Sequence, residues 1–194
     1  MSNNARNQAQ WTGTGDPDTY NETSLTIQGD LGKYLTVKER TGDTPVDGGD
    51  VRGRDKEYRK VRVDSAPMAV LPDNGIVAFW ANKARFVVST TPTAQGRGRV
   101  AGIFKNPVPL GSYCFVQVGG PALVKFQGQT QGQAAPTATP TAAGLIVIPS
   151  AFDGRADCLA AGSAATYPII GYSAGAMDAT NYTATVDLAI PDLP

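Results

Sequence analysis

The chain contains no histidine. That absence removes the base on which the serine triads of hydrolases depend, and with it the commonest ligand of zinc and other transition metals. Cysteine is nearly absent as well, with 2 in 194 residues, at Cys114 and Cys158. Two cysteines so far apart, without histidine, do not make a zinc site of the usual nitrogen and sulfur ligands. No sign of charge is in excess, because Lys+Arg and Asp+Glu each count 17. A protein that tracks phosphate backbones carries a basic surplus to displace counterions, so nucleic acid is not an expected partner. No apolar run approaches the roughly 20 residues of a membrane helix. The opening Met1-Ser2-Asn3-Asn4-Ala5-Arg6-Asn7 is polar and has no hydrophobic h-region, so neither a secretory leader nor a membrane span is expected. Synthesis and retention in a cytoplasm are expected instead. Thiols stay reduced there, which disfavours a Cys114–Cys158 disulfide. Cys114 alternates with Val116 and Val118, so it reads as a small buried hydrophobe on a shared strand face.

What the chain does have is β signal. Its length suits one domain, and 41% hydrophobic residues supply a core. Gly 22 and Pro 14 fit many short strands joined by tight turns. Leu25 and Ile27 alternate with Thr26 and Gln28, and Val61 and Val63 alternate with Lys60, Arg62 and Asp64. Ile76-Val77-Ala78-Phe79-Trp80 and Arg85-Phe86-Val87-Val88 flank Ala81-Asn82-Lys83-Ala84, the outline of a hairpin. Leu145-Ile146-Val147-Ile148, stopped by Pro149, reads as a strand buried on both faces. In the last strand Tyr182, Ala184, Val186, Leu188 and Ile190 share one face, a period of two that no helix shows. Ala156 to Ala165 contains helix-forming alanines, but Gly162 interrupts them, and no amphipathic helix is expected.

One pattern is written twice. Val100-Ala101-Gly102-Ile103-Phe104, a turn around Pro109-Leu110-Gly111 and the run Tyr113-Cys114-Phe115-Val116-Gln117-Val118 form the first copy. Ile169-Ile170-Gly171-Tyr172, a turn around Gly175-Ala176-Met177-Asp178 and the run Tyr182 to Ile190 form the second. Each is a short strand with a glycine inside it, a loop, and a longer two-faced strand. The expected fold class is therefore all-β: a single β-barrel or sandwich, jelly-roll or tulip-like, with an extended N-terminal arm. The arm is residues 1–20, polar and without periodicity. The barrel domain is 21–194, with long loops near 42–57 and 127–143. The second of these loops is low in complexity, and Pro136 and Pro140 deny it a ladder. Charge is dense from Lys38 to Asp64 and sparse after Val100, which leaves in the C-terminal half a surface that desolvates readily, as a subunit interface requires.

Several motifs lack the context their chemistry needs. Gly171-Tyr172-Ser173-Ala174-Gly175 has the spacing of a nucleophile elbow, but no histidine exists to take the serine proton and a strand follows where a helix should. Gly96-Arg97-Gly98-Arg99-Val100-Ala101 has the spacing of a dinucleotide loop, but a Thr/Pro loop precedes it and a strand follows. Asp43, Asp47 and Asp50 cluster in a glycine-rich loop without the EF-hand spacing, and a solvated loop is the expected reading. No carboxylate pair stands out for glycoside hydrolysis. No catalytic residue, metal or cofactor is expected. Three residues are candidates for contact with a partner. Trp11 is an isolated tryptophan in a polar arm, suited to docking on its own domain or on a neighbour. Arg97 and Arg99, flanked by glycines, suit carboxylates or phosphates of a partner.

The stretches Val100 to Ile103, Gly111 to Gly120, Ile169 to Ala174 and Tyr182 to Leu188 resemble the head decoration, or cement, proteins of tailed bacteriophages. Those proteins carry a V-A-G-I/V segment, a turn with L-G or A-G, an alternating strand of the Y-x-F-V-Q-V-G-G kind, and a final I-G-Y/x-A and T-x-x-V-x-L pair. The resemblance covers roughly the C-terminal half and is built of common residues; the Lys38 to Asp64 stretch has no counterpart. It implies a homotrimer on the exterior of an icosahedral head, made in the host cytoplasm, clamping neighbouring major capsid proteins. The alternative expectation is a carbohydrate- or receptor-binding β domain of a fibre or head-fibre protein. Trp80, Tyr113, Tyr172 and Tyr182 on β elements would then stack on sugars, although core packing is the commoner role of such residues.

Overall fold

A computed structural model describes residues 21–22, 31–32, 34–37, 56–92, 99–127, 139–159, 164–165 and 167–191. The expected arm 1–20 with Trp11, the Leu25/Ile27 strand, Asp43, Asp47, Asp50, Arg97 and Pro136 lie outside the described residues. The elements in chain order are β1 (Asn21–Glu22), β2 (Tyr34–Val37), β3 (Lys56–Val63), β4 (Val77–Asn82), β5 (Val87–Ser89), β6 (Val100–Phe104), β7 (Tyr113–Lys125), β8 (Ile146–Pro149), β9 (Ala156–Cys158), β10 (Gly171–Ser173) and β11 (Thr183–Ala189). The fold class is all-β: among the described residues the helical content is one 3-10 turn, Lys83–Arg85. Lys56 and Glu57, expected at the end of a long loop, belong to β3.

Five strands close into a barrel in the order β3-β5-β4-β6-β7, with β7 returning to β3. The β3–β5 pair is parallel and the other four are antiparallel. Val61, Val63, Ala78, Trp80, Val88, Ala101, Phe104, Cys114 and Val116 fill its interior with Ile76 and Val108. The expected β4–β5 hairpin is present, turning through Lys83–Arg85.

β4 and β6 are buried on both faces, which explains their unbroken apolar runs. Ala78 and Trp80 point into the barrel while Val77 and Phe79 point out of it into a second core. In β6, Val100 and Ile103 share that second core although three positions apart. A bulge in β6 opposite Ala78 and Phe79 leaves Ala101 without a ladder partner and absorbs the odd residue, as bulges do. Gly102 sits at this bulge, and a Cβ there would come within 2.7 Å of Val116 Cγ2 and 2.8 Å of the Gln117 carbonyl oxygen.

β7 holds the two cores together. Its first part pairs with β3 as far as Gly119, and its second part, Gly119 to Lys125, pairs with β11. Between them the strand bends, with Gly120 at φ 77. The Gln117 side chain, fully buried, fixes the bend by donating from Nε2 to the carbonyls of Gly119 and Pro121, both at 2.9 Å. Beyond the bend β7 folds over the outer face of β4 and β6, where Lys125 N–H donates to Gly75 O at 2.8 Å. The added sheet runs β7-β11-β10-β8-β9. It curls until Phe126 bridges Ala156 and Gln127 N–H donates to Ala156 O. Val118, Ala122, Val124, Phe126, Val147, Ala156, Ile170, Val186 and Leu188 form its core against Val77 and Phe79. Each such large side chain stabilises the fold by about 1.5–3 kcal/mol on burial.

The doubled sequence pattern is thus two antiparallel hairpins, β6–β7 and β10–β11, joined through the β7–β11 ladder. In both, the glycine of the short strand lies against the backbone of the long one. A Cβ on Gly171 would overlap the carbonyl of Asp187, as one on Gly102 would crowd that of Gln117.

Candidate functional site

The barrel has two ends, built on opposite principles. At the first, the β4–β5 turn is capped by Asn82, whose Oδ1 accepts from Arg85 N–H at 3.2 Å, and it closes through Phe86 in the left-handed region at φ 53. That conformation lays the Phe86 ring edge-on to Trp80, with centroids 6.2 Å apart and planes at 68°. The same ring occupies the space a Cβ on Gly32 would need. Trp80 is in turn covered by Arg59, whose guanidinium carbon lies 5.4 Å from its ring and 4.5 Å from that of Tyr34. Arg59 is only 2% exposed. A cation held this far from water gains most from aromatic faces, and arginine, weakly hydrated and planar, is the residue suited to that place.

Arg99 is carried to this end by its backbone: its carbonyl accepts from Trp80 N–H at 2.8 Å, and its side chain is exposed. Arg85 is exposed beside it on the turn and Lys83 is half-buried. Among the described residues, Arg85 and Arg99 are thus exposed at this end over a sealed aromatic interior. Of the residues singled out for partner contact, Arg99 alone is placed by the structure. Trp11 and Arg97 lie outside the described residues.

The expectation that aromatic side chains present a sugar-stacking surface needs correction. Trp80 and Tyr113 are buried, at 6% and 4% exposure, because both faces of the strands carrying them are covered. Tyr182 is half-buried and sits at φ 53. It follows a turn in which the Asp178 carboxylate accepts from the N–H groups of Thr180 and Asn181 and from the Asn181 amide. Those hydrogen bonds, the Thr180 one first, hold the Asp178 carboxyl below its usual range. Tyr172 is the exposed member of the four.

Ser173 of the elbow-like motif is an anchor of the sheet. It is buried in β10, donates its hydroxyl to Ala142 O at 2.7 Å and accepts from Leu145 N–H at 3.0 Å. Cys114 lies in the barrel core and Cys158 in the second core, and both are free thiols. Burial pushes the Cys114 thiol far up, and burial with the neighbouring Asp157 raises Cys158 to about 11. Both shifts favour the thiol over the thiolate. Among the described residues no group of three or more His, Cys, Asp or Glu is placed to hold a metal.

The opposite end of the barrel was not singled out by the sequence. The loops 64–76 and 105–112 meet there. Gly111 N–H donates to Asp64 O, Val108 N–H to Pro72 O, both at 3.3 Å, and Val63 N–H to Ser112 O at 2.8 Å. The Thr90 hydroxyl donates to Val70 O and so ties β5 to the same loop. Met68, Val70 and Val108 plug the barrel from this side. Outward, Leu71 is 61% and Leu110 37% exposed. The signal was present as two proline-punctuated apolar segments, Ala66-Pro67-Met68-Ala69-Val70-Leu71-Pro72 and Pro107-Val108-Pro109-Leu110, which lack the period of a strand or helix. Comparison with protein-family models, with curated proteins and with solved structures finds no match to this chain.

Proposed function

We propose that this chain is a structural virion protein that decorates an icosahedral phage head and stabilises it by clamping neighbouring major capsid proteins. The observation that carries the reading is the pair of matched hairpins, β6–β7 and β10–β11, formed by the same stretches that resemble phage decoration proteins. Three further features support it. The side chains that could have suggested chemistry are buried in structural roles: Ser173 anchors a sheet, and both thiols are protonated in separate cores. One barrel end presents apolar side chains held on hydrogen-bonded loops, as a contact surface does. Arg99 and Arg85 place cations on the rim of the other end, where carboxylates of a lattice protein would meet them.

The reading is tested on particles purified by density gradient from a lysate of the phage that encodes the chain. Mass spectrometry of the particle band is expected to find this chain at a fixed ratio to the major capsid protein. Its recovery only in the soluble fraction would contradict the proposal.

A further inference from the structure

We infer that Arg155 and Lys125, set around the Asp73 carboxylate where β7 ends, form a binding site for an oxyanion, the carboxylate or phosphate group of a ligand. The inference stands apart from the virion reading, because it needs only the chemistry of this cluster.

Three segments distant in sequence bring the charges together. The loop before β4 supplies Asp73, the end of β7 supplies Lys125, and the turn 150–155 between β8 and β9 supplies Arg155. Backbone hydrogen bonds pin all three. Lys125 N–H donates to Gly75 O at 2.8 Å and Val77 N–H to Gly154 O at 2.9 Å, while Gly154 N–H donates to Thr90 O at 2.7 Å. Gly154 has φ 65, and a Cβ there would come within 2.6 Å of Ile76 Cγ2, so the turn sits directly on the chain that carries Asp73. A site held in this way gives up little conformational freedom on binding. It also opens to solvent, since the Lys125 and Asp73 side chains are 26% and 44% exposed.

The charges of the cluster do not balance. Each oxygen of Asp73 is already engaged: Oδ1 accepts from Asn74 N–H and Oδ2 from Lys125 Nζ, both at 2.7 Å. Arg155 is half-buried, and among the described residues its guanidinium makes no ion pair or hydrogen bond. Burial works against its charge, and the field of Asp73 opposes that only in part. Asp153, the other acid of this turn, accepts from the Thr91 hydroxyl at 3.3 Å. Two cations against one carboxylate leave one positive charge over. A guanidinium with its planar fork of N–H groups uncommitted is matched by an oxyanion, which takes parallel charge-assisted hydrogen bonds from it. The Lys125 ammonium has donors beyond the one given to Asp73 and adds a point charge on the same ligand. An uncharged ligand would leave the excess charge in place, and a cation would be repelled by it.

The test is an NMR titration of the full chain with inorganic phosphate and, in a separate arm, with acetate, each against sodium chloride at matched ionic strength. Saturable shifts are expected at the backbone amides of 73–76, of Lys125 and of 153–156, with those of Arg85 and Arg99 unmoved. Saturation by phosphate alone assigns a phosphate group, by acetate alone a carboxylate, and by both the oxyanion class as a whole. Arg155→Met is expected to weaken binding roughly tenfold or more, as loss of hydrogen bonds to a charged group does. Arg155→Lys keeps the charge but loses the fork, and its affinity should fall between that of Arg155→Met and the wild type. Circular dichroism checks that both variants fold, and Arg155→Lys alone carries the comparison if Arg155→Met does not. Shifts that follow ionic strength without saturating in either arm would overturn the inference. So would equal shifts at Arg85 and Arg99, or wild-type affinity in the folded variants.

Discussion

The two ends of the barrel differ in which way they turn their apolar side chains. At the β4–β5 turn, Trp80 and Phe86 face inward, Arg59 lies over both Trp80 and Tyr34, and the exposed positions are Ala81, Asn82, Ala84, Arg85 and Arg99, with no large apolar side chain among them. At the other end, Met68 and Val108 close the barrel while Leu71 and Leu110 are left in water. The first arrangement spends its aromatic surface on the stability of the monomer. The second leaves apolar surface over, and its free energy is recovered only when something covers it. The difference teaches that within one small barrel the apolar residues that hold the fold and those left uncovered are separated by the length of a strand.

Substitutions should respect that separation. The largest effect is expected at the closed end. Trp80→Ala empties the centre of an interior stack and should cost about 3–5 kcal/mol in denaturant unfolding. It should also speed labelling of Cys114 by a thiol reagent relative to Cys158, since only Cys114 shares the barrel core with Trp80. Native wild type should resist labelling at both. Next is Gln117→Leu, which leaves the carbonyls of Gly119 and Pro121 without their donor inside the β7 bend. A loss of about 1–3 kcal/mol is expected for such orphaned groups. Arg59→Lys keeps the charge but loses the planar stack, and a loss of about 1 kcal/mol is expected. Unchanged stability in all three would dissolve the distinction between the ends.

At the apolar end the expected effects on stability are small. Lys125 Nζ pairs with Asp73 at 2.7 Å, and this bond, opposed by partial burial, holds the Asp73 carboxyl below its ordinary 3.8. A depressed carboxyl contributes stability above its unfolded value and loses it as pH falls through the folded one. Asp73 is 44% exposed, so Lys125→Met should cost only about 0.5 kcal/mol at neutral pH. That difference should vanish in acid, below the folded value of Asp73. A difference that grew in acid would contradict the assignment. Leu71→Asp and Leu110→Asp should change the melting temperature least of all.

Much of this architecture was legible in the sequence. The β4–β5 hairpin, β8 ending at Pro149 and the last strand follow from alternation and from turn residues. The doubled pattern located both hairpins because a glycine was required at each close backbone approach, Gly102 and Gly171. What the sequence hid was tertiary. The bend in β7 depends on one glutamine side chain reaching carbonyls two and four residues on, and Gln117 looks like any polar strand position. The sequence leaves open whether Trp80 and Tyr113 pack in a core or stack on a ligand, because nothing local in it shows that the barrel closes over Trp80 or that Tyr113 is covered. The apolar end was missed because it is made from two irregular loops that are neighbours only once the barrel has closed. Arg99 was singled out by its glycine-flanked setting, whereas its place beside the sealed Trp80 stack comes only from the backbone hydrogen bond between Trp80 and Arg99.

The measurement that tests the central claim most directly is add-back to heads that lack this chain. Purified protein is mixed with such heads, bound protein is counted after sedimentation, and the temperature at which the heads release DNA is recorded. The account predicts saturable binding at a fixed ratio to the major capsid protein and a higher release temperature. Protein that stays in the supernatant, with the release temperature unchanged, would contradict it.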